Sequence, residues 1–104
     1  MNKYEIEFSK EARKDFKDIV RYIKYSLQEP NIALKFANKI KNNIEKISED
    51  PNIYSIIDDK FLKKFELRKI IVDNYIIFYK IDDKQNKVQI VRMMYGRKNW
   101  IKLL

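Results

Sequence analysis

The stretch VDNYIIFYKIDD, residues 72–83, sets the architecture. From Tyr75 onward, Tyr75, Ile77, Tyr79 and Ile81 fall on one face of an extended chain, while Ile76, Phe78 and Lys80 fall on the other. Both faces are largely apolar, so this strand is expected at the centre of a sheet, covered on both sides. Asp73-Asn74 reads as a tight turn after a strand from Leu67 to Val72. Asp82 to Lys87 turns the chain again, into a strand from Val88 to Met94. Strands joined by such short turns pair antiparallel.

Upstream the hydrophobic period changes. Tyr4, Ile6 and Phe8 alternate with Lys3, Glu5 and Glu7, which predicts a first strand with one wet face. Ser9 then stands at an N-cap position, and Ala12, Phe16, Ile19, Val20, Ile23 and Leu27 recur every three or four residues, predicting a helix over residues 10–27. Gln28-Glu29-Pro30 interrupts it, and Pro30 suits the first turn of a second helix because its missing N–H has no partner there anyway. Ile32, Phe36, Ile40, Ile44 and Ile47 form that helix's apolar stripe, with Ala33 and Ala37 allowing close approach. Asp50-Pro51 ends it, and a loop runs to about Lys64. The expected fold is α+β, a helical hairpin packed on one face of an antiparallel sheet. The element order is β-α-α-β-β-β, closed by a short helix or tail from Arg97 to Leu104, in a single domain of residues 1–104.

Composition limits the chemistry. The 104 residues contain no Cys and no His, which excludes disulfides, thiolate nucleophiles, imidazole-based triads and the common zinc sites. No cofactor or metal is implied. Without a signal-like N-terminus or an apolar run approaching the ~20 residues that span a bilayer, a soluble, cytoplasmic protein without a membrane partner is expected. The net charge of +8 is uneven: residues 61–104 carry 11 Lys/Arg against 4 Asp/Glu, residues 1–60 carry 12 against 11. Such a field attracts polyanions or an acidic protein partner. Lys10, Arg13, Lys14, Lys17, Arg21 and Lys24 alternate with Glu11, Asp15 and Asp18 in the first helix, the pattern of an ordinary exposed face.

With this element order, VDNYIIFYKIDD on the central hairpin, VQIVRMMYGRKNW on the last strand and tail, and YEIEFSKEARKDFKDIVRYI at the start, the chain resembles the RelE/ParE superfamily of bacterial type II toxins. The resemblance runs over nearly the whole chain and includes Arg68, seven residues before Tyr75. It implies a toxin held inactive in a hetero-oligomer with a cognate antitoxin. RelE-like members cut messenger RNA on the ribosome without metal, whereas ParE-like members poison DNA gyrase.

Cleaving RNA through its 2′-hydroxyl needs a base, a group that stabilises the phosphorane and an acid. RelE-like toxins commonly place an arginine directly after the tyrosine of the central strand, and here that position is Ile76. Many members carry His where this chain has Tyr95, and a tyrosine hydroxyl, with a reference pKa near ~10, is a poor base at neutral pH. Both departures favour the gyrase-directed branch, with binding as the mechanism and Arg68, Arg92, Tyr95, Arg97 and Lys98 as the expected target contacts. The alternative is an endoribonuclease using Lys63, Lys64, Arg68, Arg92 and Tyr95, with the ribosome and its message as target. A third reading is a non-toxic basic binding module. Tyr75 and Tyr79 are expected in the core. Arg92, alternating with Val88, Ile90 and Met94, must emerge at an edge or be paired, because an unpaired buried charge is prohibitive.

Overall fold

The computed structural model describes residues 3–96 and Leu104. Strand β1 (Glu5–Phe8) leads into helix α1 (Lys10–Arg21), which continues as a π-helical turn, Tyr22–Ser26. Helix α2 (Pro30–Glu49) follows, then 3-10 turns at Pro51–Ile53 and Lys63–Phe65, and finally β2 (Arg68–Val72), β3 (Tyr75–Asp82) and β4 (Lys87–Tyr95). The sheet order is β1-β4-β3-β2. The meander β2-β3-β4 is antiparallel as expected, and β1 lies parallel beside β4, which makes the whole sheet mixed. Nothing local in the sequence announces that pairing, since Ile6 meets Val88 across most of the chain. Of the expected tail, only Leu104 is among the described residues. No helix among them is long and apolar enough to cross a membrane.

Local chemistry accounts for the element boundaries. Ser9 is extended, and its Oγ accepts a hydrogen bond from the Ala12 N–H at 2.9 Å, capping α1. The same hydroxyl donates to the Val91 carbonyl at 2.7 Å, so one side chain starts the helix and ties it to β4. Pro30 opens α2, and Asp73 takes the β2–β3 turn with φ 55°.

The core has two parts. On the helix side Ala12, Ile23, Phe36, Ile40 and Ile47 pack on Ile70, Val72, Ile77, Tyr79, Val88, Ile90 and Met93. On the opposite face Ile76, Phe78 and Met94 meet Ile57 and Leu67, with Val91 and Leu104 beside them. The two-sided burial expected of β3 is therefore present, and Tyr75 and Tyr79 pack in the helix-side core. The hydroxyl of fully buried Tyr79 donates to the Pro51 carbonyl at 2.9 Å.

Two patterns read from the sequence need correction. Leu27 and Ile32 do not join the core: they are 51% and 47% exposed. In the π-helical turn the Leu27 N–H reaches back to the Tyr22 carbonyl, an i→i−5 bond, so the helical phase slips and the hairpin tip turns outward. The second correction is on β4. Phe78 pairs with Arg92 but Tyr79 with Ile90, leaving Val91 as a bulge. The extra residue reverses the alternation, so Met93 follows Val88 and Ile90 into the helix-side core while Met94 goes to the other face. Arg92 is thereby kept out of the helix-side core.

Candidate functional site

The bulge falls where β1 has ended, so among the described residues the outer edge of β4 has no further strand beside it. Helix α1 takes over that edge with side chains. Ser9 Oγ meets the Val91 carbonyl, and Asp15 Oδ2 accepts from the Met93 N–H at 3.0 Å. The same carboxylate grips Arg92 at both ends, with Nε to Oδ2 at 2.7 Å and Nη2 to Oδ1 at 3.1 Å. This fork-to-fork hydrogen bonding raises the pKa of Arg92 above its ordinary value, against a smaller opposing effect of burial.

Arg68 lies elsewhere. It stands on β2 opposite Tyr79, donates to the Tyr54 carbonyl and places Nη2 3.2 Å from Asn52 Oδ1. Strand β3 separates it from Arg92, and by register the two start from opposite faces, Arg68 with Tyr79 and Arg92 with Phe78. Tyr95 sits across from Tyr75, their rings edge-on at 5.5 Å, and Tyr75 in turn leans on Phe36 at 5.2 Å. Burial, then the neighbouring hydroxyls of Tyr22 and Tyr95, push the Tyr75 pKa up. Lys63 and Lys64 occupy an exposed turn, with Lys64 Nζ 5.1 Å from the centre of the Phe65 ring. Arg97 and Lys98 fall outside the described residues.

Two concavities border Arg92. The larger, about 1100 Å³, runs between the hairpin tip and the Tyr95 end of β4, lined among others by Tyr22, Leu27, Ile32, Phe36, Tyr75 and Tyr95. The smaller, about 500 Å³, lies between Leu62, Phe65 and Leu67 on one side and Glu7, Gln89 and Val91 on the other. The structure therefore brings Arg92 together with Tyr95 and leaves Arg68 apart from both. Gly96, the chain's single glycine, closes the Tyr95 end: its N–H donates to the Asn74 carbonyl at 2.8 Å, and a Cβ there would stand 3.2 Å from that oxygen.

Sequence reasoning missed Asp15, Tyr22, Leu27 and Ile32. For Asp15 no pairing with Arg92 was visible, because the bulge that aims the guanidinium at α1 has no sequence mark. Leu27 and Ile32 were assigned to the core by periodicity, and flank the Pro30 break where a change of phase is easiest.

Comparison with known proteins adds an independent line. Residues 6–100 match the family model for the ParE toxin of the type II toxin–antitoxin system parDE. No curated protein sequence matches. Among solved structures, the chromosomal ParDE toxin–antitoxin system of P. aeruginosa superposes with a TM-score of 0.69 at 14% identity, covering 91% of this chain and 98% of that one. The RelBE2 toxin–antitoxin complex of Mycobacterium tuberculosis gives 0.63 at 19% identity, over 91% and 93%. The isolated E. coli RelE toxin gives 0.62 at 13%, over 96% and 92%. At these identities the superpositions establish the fold that both branches share. The family model, matched from the middle of β1 through the end of β4, goes further: the chain belongs to the ParE toxin family of type II toxin–antitoxin systems.

Proposed function

We propose that the chain arrests bacterial growth by binding DNA gyrase rather than by cutting messenger RNA. The observation that carries this reading is the dispersal of the candidate nuclease groups, of which only Arg92 and Tyr95 border one groove. Arg68 serves the Asn52–Tyr54 segment on the helix side, Arg92 serves Asp15, and Lys63 and Lys64 stand on a separate turn. A phosphoryl-transfer site needs its base, acid and charge stabiliser around one scissile bond. A binding poison needs no such convergence. The family match supports the same branch.

In this reading the antitoxin folds a partly disordered segment into the larger groove, onto Tyr22, Leu27 and Ile32, forming the inactive hetero-oligomer. Target contact lies on the adjoining rim at Arg92 and Tyr95, and the site of action is the cytoplasm. Purified chain added to gyrase is expected to block supercoiling and accumulate cleaved DNA; intact supercoiling would remove the gyrase reading. Primer extension during growth arrest should return full-length messages. Cuts within codons that vanish in Tyr95→Phe would instead establish a nuclease, and harmless overexpression a non-toxic binding module.

A further inference from the structure

Helix α1 has three faces rather than two. At about 100° per residue, Ala12, Phe16, Ile19 and Ile23 point into the core, and Glu11, Asp15 and Asp18 form a second strip. Lys10, Arg13, Lys14, Lys17 and Arg21 share the third, within an arc of roughly 100°. The acidic strip is turned along β4, where Asp15 holds Arg92 and Met93, Glu11 borders the smaller pocket and Asp18 the larger groove. All five basic side chains are exposed. Lys14 pairs with Asp18 at 2.7 Å, and among the described residues Lys10, Arg13, Lys17 and Arg21 have no ion pair.

Like charges within the strip repel one another in the free chain. Asp18 offsets this in part, its carboxyl held below its usual range by its hydrogen bond to Lys14 and by the charges of Arg21 and Lys17. Lys10 with Lys14, Arg13 with Lys17, and Lys17 with Arg21 are like-charge pairs four residues apart, each destabilising a helix by about 0.2–0.5 kcal/mol. A helix needing only solubility would intersperse the signs. We propose that the basic strip binds the phosphate backbone of duplex DNA. From Lys10 to Arg21 the strip is about 17 Å long, the axial span of roughly five phosphates on one strand of a duplex. A line of single cations on a helix anchored by Ser9 and Asp15 meets a line of single anions with little further ordering. Single strands and RNA loops are gripped by exposed rings on which unstacked bases lie, and Lys10–Arg21 exposes no ring; its one aromatic, Phe16, packs against the core. An acidic peptide would need apolar contacts beside its charges, and the large exposed apolar side chains begin only at Tyr22.

This surface is separate from the rim beside Tyr95 and stands whether or not gyrase is the target. The test is anisotropy of a labelled 20-base-pair duplex titrated with the purified chain between 50 and 200 mM KCl. With about four phosphate contacts, log K should fall against log salt with a slope near −3.6. The triple variant Lys10→Gln/Lys17→Gln/Arg21→Gln should flatten that slope by about 2.7 and weaken binding more than tenfold at about 100 mM salt. Each single substitution should flatten it by about 0.9. A matched variant on α2, Lys35→Gln/Lys41→Gln/Lys46→Gln, removes the same charge and should weaken binding less than about threefold, since it leaves every proposed phosphate contact in place. Equal losses in the two triple variants would reduce the effect to net charge and overturn the proposal. So would equal affinity for poly-glutamate, or a preference for unpaired RNA. A chain that stops gyrase without binding the duplex overturns the strip and leaves the gyrase reading standing.

Discussion

On the helix side of the sheet, Ile77 and Tyr79 of β3 lie beneath two helices and are wholly buried; on the other side, Ile76 and Phe78 meet Ile57, Leu67 and Leu104. One strand therefore carries two kinds of packing. The helix side includes the large side chains Phe36, Ile40, Ile47 and Tyr79, and among the described residues it is the larger buried cluster. The other side is closed by Ile57 and the loop that follows it, which contains one short 3-10 turn, Lys63–Phe65, and holds Phe61 and Phe65 out in solvent. Between them β4 changes sides at Val91, and α1 stitches the seam. The lesson is that an apolar strand can be central without its two faces contributing equally.

The most severe way to probe this difference is to truncate neighbours on β3. Ile77→Ala should cost about 4 kcal/mol and Ile76→Ala about 2, because a cavity beneath packed helices collapses less than one beneath a loop. Chemical denaturation of the two variants measures both, and equal losses would break the comparison. The seam comes next. Asp15→Ala strips Arg92 of its bidentate partner and leaves the Met93 N–H without an acceptor, so a loss of about 2–3 kcal/mol is expected. Asp15→Asn retains an acceptor and should recover part of it. A loss within about 0.5 kcal/mol for Asp15→Ala would mean that the sheet edge is sealed without the helix.

Tyr79 joins the two regions, since its ring is in the helix-side core and its hydroxyl holds Pro51, where the loop begins. Tyr79→Phe should cost about 1 kcal/mol by leaving that carbonyl unpaired. Burial pushes the Tyr79 pKa up to about 12. Between about pH 10 and 12 the folded chain keeps a proton the unfolded chain has lost, so stability falls as pH rises through that window. In Tyr79→Phe the fall should be shallower but still present, because the Tyr75 pKa is raised too. An unchanged slope would place the Tyr79 hydroxyl in water.

How much of this was legible follows from range. β3 was readable because its period and its turns are local, and α2 because Pro30 and Asp50-Pro51 bracket a regular stripe. The parallel partner of β1 was not readable, since it depends on contacts across some 80 residues, and the bulge was not, since no residue type at Val91 marks it although its β3 partners are close in sequence. The site suffered for the same reason. Arg92 was correctly required to be paired or at an edge, but its partner Asp15 looked like one more member of an exposed charged face. Arg68 and Arg92 were grouped by charge, and only the register puts β3 between them.

The subtlest difference between the faces concerns how they open. Asp59 Oδ1 accepts from the N–H groups of Phe61 and Leu62 at 2.8 and 3.0 Å, which fixes the turn that seats buried Leu62 under the loop. Asp59→Ala should lower the cost of opening this segment by about 1 kcal/mol, the usual value of such a cap. If the loop-covered face opens on its own, hydrogen exchange will speed at the Ile57 amide, which bonds the Leu67 carbonyl at 2.7 Å, while the Ile77 amide and the global midpoint stay within error. If both amides and the midpoint move together, the loop belongs to the same cooperative unit as the helices. In that case Ile76 should prove as costly to truncate as Ile77, which ties the smallest expected effect to the largest.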